Sequence, residues 1–171
     1  MIKKSKYRIL IPVILCSIIW AACTQQRQPC LTPKIATLNM HCLHKAADTA
    51  TVFADTALPN TLFAAYSDSG TQYLIYRGQA SDFTISLSSA ADSCKWGITT
   101  DTTRNSGFDT LTFFYKRKLQ FISNACGYAY FYNLDSVHTT GKTIDSVRIL
   151  NANVNNNVKT KHLQIYIHPD F

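Results

Sequence analysis

After residue 30, apolar and polar residues alternate in short runs along most of the chain. A period of two is typical of a strand that buries one face. It predicts strands at 34–43, 61–66, 71–76, 82–88, 93–100, 110–118, 143–150 and 160–167. No helical period of 3.6 residues is sustained in this part of the sequence. Many short strands at intervals of about 8–12 residues predict an all-β fold, an antiparallel β-sandwich of roughly 7–9 strands over residues 31–171.

The densest aromatic run lies at residues 119–135 and contains Tyr128, Tyr130 and Tyr132. Aromatic and β-branched residues favour strands, so the run predicts two strands with a kink at residues 124–127. The three tyrosines are spaced by two residues and therefore share one strand face. We expect two of them in the core. Tyrosines left exposed could stack on sugar rings or form a partner surface.

The N-terminal segment has the layout of an export signal. Residues 1–8 are basic, whereas residues 9–20 are apolar and shorter than the roughly 20 residues that cross a bilayer. The formal net charge is +7, but four of the 17 basic side chains lie in this segment. Without them, thirteen basic side chains face ten acidic ones. A nucleic-acid partner is therefore not expected, because that binding relies on clustered Lys and Arg.

The end of this segment resembles the lipobox of bacterial lipoproteins, in which cleavage before a cysteine precedes its lipidation. Ala22 and Cys23 fit the pattern. Trp20 departs from it, because the position three residues before the cysteine is usually aliphatic. The pattern predicts a signal peptide at residues 1–22, lipidation of Cys23 and a lipidated tether at 23–30. The alternatives are a plain secretory signal cut near Ala22 and an uncleaved anchor. Since no acidic cluster follows Cys23, we expect an outer membrane lipoprotein that faces the periplasm and contacts the membrane through its lipid.

Four further cysteines, Cys30, Cys42, Cys94 and Cys126, make an even number in an exported chain. Two disulfides are the default in an oxidising compartment, and four cysteines allow three pairings. We favour Cys30–Cys126 and Cys42–Cys94. The alternative is that Cys42 and Cys94 are buried free thiols. No CxxC motif occurs among the four, which disfavours a redox or zinc-knuckle site.

Segments 109–118, 123–128, 131–134 and 163–167 are similar to the C-terminal half of a family of small uncharacterised lipoproteins from Bacteroides-type bacteria. The shared features are a D-T-x-T-F-x-Y-x-R-K strand, an S-x-A-C-G-Y/F motif and an aromatic strand that ends in N-L. Members also tend to carry a cysteine shortly after the lipid cysteine. Cys30 matches that position, so the resemblance supports the Cys30–Cys126 pairing. The resemblance implies a class of protein and no activity.

Other motifs carry weaker chemical information. Asp followed by Ser or Thr resembles an O-glycosylation motif, with Thr49, Thr56 and Thr102 as candidate sites; the alternative is turn chemistry at strand starts. His41 and His44 lie on opposite faces of a strand, so no metal site is expected, and no cofactor motif is present.

These observations favour a non-enzymatic, lipid-anchored envelope protein that binds or supports another envelope component, either a protein or a glycan. The first alternative is a glycan-binding module that uses exposed tyrosines. The second is a hydrolase, with His138 or His162 beside a carboxylate in a pocket. The basic cluster at residues 116–118 could contact anionic lipid, although a solvated strand end is the simpler interpretation.

Overall fold

Eleven strands arranged in two sheets make up the part of the chain that the computed structural model describes, residues 29–45, 53–54, 57–66, 72–103 and 108–168. Contacts divide the chain into residues 1–31 and 32–171, and the eleven strands described all belong to the second unit. The strands are β1 Thr37–Lys45, β2 Phe53–Ala54, β3 Leu58–Tyr66, β4 Gln72–Ala80, β5 Asp82–Ser86, β6 Ser93–Thr99, β7 Asp109–Ser123, β8 Gly127–Thr139, β9 Ile144–Ile149, β10 Asn153–Val154 and β11 Leu163–Ile167.

One sheet has five strands, in the order β2-β1-β11-β9 with β5 also paired to β1, and the other has six, in the order β10-β8-β7-β6-β3-β4. Most described pairs are antiparallel, but β1 and β11 are parallel, with Met40 opposite Leu163. The expectation of a wholly antiparallel sandwich is wrong at this pair. Period-two alternation predicts which face of a strand is buried, and it contains no information about the direction of the neighbouring strand.

The two sheets share one hydrophobic core, and the all-β fold class is confirmed. Buried residues recur at every second position of the long strands, as the alternation predicted. From the five-stranded sheet they include Leu38, Met40, Cys42, Phe83, Ile85, Ile144, Leu163, Ile165 and Ile167. From the six-stranded sheet they include Leu58, Trp96, Ile98, Leu111, Phe113, Tyr115, Tyr132, Leu134 and Val154.

The β7–β8 hairpin is built from the two longest strands described, of 15 and 13 residues. The predicted kink is confirmed, since β7 ends at Ser123 and β8 begins at Gly127. Gly127 has φ +73°, a left-handed conformation that glycine adopts readily. The strand predicted to end at residue 118 continues to Ser123, and β8 extends to Thr139, four residues beyond the aromatic run at 119–135.

This hairpin divides into two halves with different surroundings. Residues 109–115 and 132–139 form the inner half, where β6 pairs with β7 and β10 pairs with β8. Residues 116–123 and 127–131 form the outer half, in which the two strands pair only with each other among the strands described. The outer half therefore extends beyond the rest of its sheet as a two-stranded ribbon.

Candidate functional site

An aromatic strip lies on one face of the outer half. It consists of Leu119, Phe121, Tyr128 and Tyr130, which are 55%, 50%, 65% and 40% exposed. Leu119 pairs with Tyr130 and Phe121 with Tyr128, so the four side chains sit opposite one another across the ribbon. The Phe121 and Tyr128 rings meet edge to face, with their centroids 5.3 Å apart.

The strip continues the core-facing side of the hairpin. Leu119 and Phe121 follow Tyr115 at even spacing, and residues two apart along a strand share a face. Tyr115 is 1% exposed because it belongs to the core shared by the two sheets, whereas Leu119 and Phe121 lie farther along β7, beyond the residues that pair with β6. The strip therefore has the composition of a core face, but within the described ranges no second layer packs over it.

Only one of the three tyrosines is in the core, so the expectation of two is wrong. Tyr132 is buried, donates its hydroxyl to the Leu87 carbonyl at 3.3 Å and packs edge to face on Tyr115. Tyr128 and Tyr130 are exposed. Alternation placed all three on one face, but burial depends on which other strands reach that part of the hairpin.

The tip of the outer half is tied covalently to the N-terminal part of the chain. Cys30 and Cys126 form a disulfide, which confirms this pairing. Cys126 is itself buried, and its N–H donates to Ser123 Oγ at 3.1 Å within the turn. The bond joins residues almost 100 positions apart in sequence.

The second predicted disulfide is wrong, because Cys42 and Cys94 are free thiols. Cys42 lies on β1 in the five-stranded sheet, and Cys94 lies on β6 in the six-stranded sheet. Burial raises the pKa of both thiols, and Cys94 also hydrogen-bonds with Tyr115. An even cysteine count favours pairing, but a buried cysteine can equally serve as a small apolar side chain.

A polar groove of about 440 Å³ lies beside the hairpin and is lined by Lys118, Gln120, Phe131, Asn133 and residues 153–157, among others. Lys118 pairs with Phe131 across the ribbon, on the face opposite the aromatic strip. The volume falls within the range of about 300–1,000 Å³ that is usual for ligand pockets. Sequence reasoning missed this groove, although the asparagine run from residue 151 to 157 was its signal.

Several groove asparagines shape the backbone that carries them. The Asn155 side-chain oxygen accepts the Asn157 N–H at 2.8 Å, and that of Asn157 accepts the Lys159 N–H at 3.1 Å. These are the local bonds by which asparagine stabilises turns. Asn133 and Asn153 are exposed and pair across β8 and β10, so their amides remain accessible to a polar ligand.

At the inner end of the hairpin, Asp109 organises the connection between β8 and β9. Its fully buried carboxylate accepts the hydroxyls of Thr140 and Thr143, at 2.6 and 2.8 Å. It also accepts the backbone N–H groups of Lys142, Thr143 and Ile144, at 2.6–2.8 Å. Burial alone would raise the pKa of Asp109, but these hydrogen bonds outweigh it and lower the pKa. This network has a structural role.

The histidines considered for catalysis do not form an acid–base pair. His162 is fully buried, and its Nδ1 accepts the Asn39 N–H at 3.0 Å. Burial lowers the pKa of His162, although a hydrogen bond to the Asn153 backbone opposes the shift. His138 is exposed and packs edge to face on Phe114. Neither ring lies beside a carboxylate within the described ranges, so the hydrolase alternative gains no support from them.

His41 bonds to Asp82 at 2.8 Å, and Lys161 lies 3.6 Å from the same carboxylate oxygen. Across the residues that the structure describes, no three His, Cys, Asp or Glu side chains converge as a metal site. The same residues include no helix with the length and hydrophobicity of a membrane-crossing segment.

Several predicted sites have no structural test. Cys23, Thr49 and Thr56 lie outside the described residues. Thr102 lies in a turn where the Asp101 carboxylate accepts both the N–H and the hydroxyl of Thr103, at 2.9 and 2.6 Å. This is the turn chemistry considered as the alternative to glycosylation, and glycosylation of these threonines stays a prediction.

Comparison with known families gives one match, in which residues 60–167 fit the Family of unknown function (DUF6452). The chain belongs to this family. The matched region includes the whole β7–β8 hairpin, the aromatic strip and the groove. The Bacteroides-type lipoprotein character implied by the sequence resemblance stays a prediction. Comparisons with curated proteins and with solved structures find no match.

Proposed function

We propose that this DUF6452 protein is a lipid-anchored, non-enzymatic module of the cell envelope that binds another envelope component through the outer half of its β7–β8 hairpin. The observation that carries the proposal is the aromatic strip. Four large apolar side chains are 40–65% exposed next to one another on a structured ribbon. Exposed apolar patches on folded proteins mark interaction sites more often than scattered single residues do.

The proposed location rests on the N-terminal sequence and is compatible with the disulfide. Cys23 would carry the lipid and hold the protein on the periplasmic side of the outer membrane. A disulfide such as Cys30–Cys126 persists in exported proteins and is rare in the reducing cytosol. The several acyl chains of a bacterial lipoprotein would anchor the protein firmly, whereas one chain binds only marginally.

The test combines fractionation with site-specific photo-crosslinking in native membranes. A photoreactive phenylalanine analogue would replace Tyr128 in the strip and, as a matched control, Lys95, which is exposed on β6. We expect abundant adducts with an envelope component from position 128 and few from position 95. We also expect Cys23→Ala to release the protein from membranes and to remove the lipid mass from its N-terminus.

Two results would contradict the proposal. Equal, diffuse crosslinking from both positions would show that the strip is not an interaction surface. A Cys23→Ala protein that kept its full membrane association and showed no loss of lipid mass would contradict the anchor. The two failures are separable because each is measured independently.

Glycan binding is the second candidate, and two specific observations favour it. Tyr128 and Tyr130 are exposed side by side on the strip and could stack on sugar rings. The groove on the other face combines the amides of Asn133 and Asn153 with the partly buried ring of Phe131. Amides and an aromatic ring suit the hydroxyls and apolar faces of a sugar.

A glycan array with the full-length protein would test this candidate. Binding that is lost in Tyr128→Ala or Asn133→Ala would support it and identify the face that is used. Phe114→Ala is the control, since Phe114 is an exposed aromatic residue in the inner half. Binding lost equally in the control variant would show that the signal is non-specific.

A further inference from the structure

The disulfide shortens the covalent path between the proposed lipid anchor and the aromatic strip. Cys30 follows Cys23 by seven residues and is bonded to Cys126, at the tip of the outer half. Seven extended residues span at most about 25 Å. Without the disulfide, the first strand residue after Cys23 would be Thr37, at the end of a tether that could reach about 50 Å.

The strip lies at the same tip. Phe121 and Tyr128 are five and two residues from Cys126, and they pair with each other across the ribbon. The short tether thus ends next to the most exposed aromatic side chains of the hairpin. A lipid at Cys23 would bring these side chains within reach of a bilayer surface.

The residues of the strip suit a bilayer interface. Tyrosine is enriched at the level of the lipid headgroups, where its ring is apolar and its hydroxyl remains hydrated. Leu119 and Phe121 add apolar surface beside Tyr128 and Tyr130. An apolar face of this kind can bury itself in the boundary between headgroups and acyl chains.

The outer half carries no acidic side chain that would repel anionic lipid. Residues 116–131 include three basic side chains and no acidic one. Arg117 is held by Asp92 at 2.6 Å and by the Ser89 carbonyl at 2.7 Å, whereas Lys116 and Lys118 are exposed on the face opposite the strip.

From the tether and the strip, we infer that the aromatic strip docks into the headgroup region of the bilayer that holds the lipid of Cys23. This inference rests on the proposed lipid anchor. The disulfide then acts as a short strap that keeps the outer half of the hairpin against the membrane. The groove lies on the opposite face of the ribbon and therefore faces away from the bilayer. The bilayer would cover this face, over which the described strands place no second layer.

The test uses the full-length, lipid-modified protein in vesicles of phosphatidylethanolamine and phosphatidylglycerol. Tyr128→Trp introduces a tryptophan on the strip, and Gln120→Trp introduces one on the opposite face of the same ribbon. Both positions are exposed, and both variants retain the buried Trp96 as a common background. Lipids with brominated acyl chains quench tryptophan that enters the bilayer.

We expect quenching of the Tyr128→Trp protein to exceed that of the Gln120→Trp protein by about twofold or more, because only the strip would enter the interface. Equal quenching of two variants that both float with the vesicles would overturn the inference and leave the lipid anchor intact. Failure of the proteins to float would overturn the anchor and the inference together. A strip that crosslinks to a protein in native membranes but shows equal quenching would identify a protein partner instead.

A second variant tests the strap. Cys30→Ser would lengthen the connection between Cys23 and the fold, so we expect the difference in quenching between the two tryptophan positions to shrink. Thermal unfolding of each variant would confirm that it remains folded. An unchanged difference in folded Cys30→Ser protein would show that the disulfide does not hold the strip at the membrane.

Discussion

The two halves of the β7–β8 hairpin follow one pattern of apolar residues and have opposite environments. In the inner half Leu111, Phe113 and Tyr115 are 0–1% exposed, while in the outer half Leu119 and Phe121 are about half exposed. The register of pairing continues from one half to the other, with one irregularity at Phe114 and Tyr115 and another near the turn. The difference lies in what surrounds them, since β6 and β10 end before the outer half begins.

This contrast shows that the apolar face of one strand can have two roles, one in core packing and one in contact with a surface outside the protein. Where another layer covers it, the face contributes to the core and to stability. Where no described strand covers it, the same face is available for a surface outside the protein. A two-stranded ribbon is marginal in water by itself, so the outer half depends on its attachments at both ends.

The largest expected change in the free energy of unfolding comes from removing a buried ring of the inner half, compared with a half-exposed ring of the outer half. Phe113→Ala removes a fully buried ring, and we expect it to lower the free energy of unfolding by about 3–5 kcal/mol. Phe121→Ala removes a half-exposed ring, and we expect a loss below about 1 kcal/mol. Chemical denaturation of the two variants measures both values. Similar losses would mean that the outer half is part of the core.

Removal of the disulfide should have the next largest effect on stability, because the bond attaches the tip of the outer half to Cys30. We expect Cys30→Ser to lower the free energy of unfolding by about 2–4 kcal/mol, since the bond closes a loop of nearly 100 residues. A reductant should destabilise the wild type and leave Cys30→Ser unchanged. The matched control is Cys94→Ser, which alters a free thiol. Sensitivity of Cys30→Ser to the reductant would contradict the assigned pairing.

Asp109 attaches the inner end of the hairpin through five hydrogen bonds. Asp109→Asn would turn an amide donor toward backbone N–H groups. We expect it to lower the free energy of unfolding by about 2–3 kcal/mol at neutral pH. The folded-state pKa of Asp109 lies below its ordinary value of 3.8. Its contribution is therefore complete above about pH 4 and is lost as the pH falls through the folded-state pKa.

Denaturation of wild type and Asp109→Asn across the acid range measures this dependence. The difference between the two proteins should narrow below about pH 4. Asp145→Asn, at an exposed position of β9, is the control and should follow the wild type. A difference that stays constant down to the lowest pH would contradict the assigned ionisation of Asp109.

The smallest expected change in stability comes from removing single tyrosine hydroxyls, one in each half of the hairpin. The buried Tyr115 hydroxyl donates to the Ser88 carbonyl at 3.0 Å, so Tyr115→Phe should cost about 1 kcal/mol. Tyr130 is on the exposed strip, and Tyr130→Phe should change stability by less than about 0.5 kcal/mol. Thermal unfolding resolves the pair. A larger loss for Tyr130→Phe would place its hydroxyl in a stabilising contact.

Much of the fold could be predicted from local pattern. Alternation identified the buried sides of β1, β5 and β11, and the kink at residues 124–127 marked the hairpin turn. The parallel pairing of β1 with β11 could not be predicted this way. Strand direction and order depend on contacts between residues more than 100 positions apart, which leave no local periodicity.

The candidate site was predictable in composition but not in exposure. The tyrosine run was recognised as a possible interaction surface, yet its division between Tyr132 in the core and Tyr128 and Tyr130 outside depends on where β6 and β10 end. The groove lies between the hairpin and an asparagine segment brought to it by the chain topology. Cysteine count indicated disulfides, but only the fold distinguishes Cys126 from the free thiol of Cys42.

The central claim is that the outer half of the hairpin faces the bilayer surface while the inner half faces the core. Hydrogen exchange of the full-length lipidated protein in vesicles, compared with soluble Cys23→Ala protein, tests it most directly. We predict slower amide exchange in vesicles for peptides from residues 116–131 and unchanged exchange for residues 109–115 and 132–139. Equal exchange of residues 116–131 in both states would contradict the account.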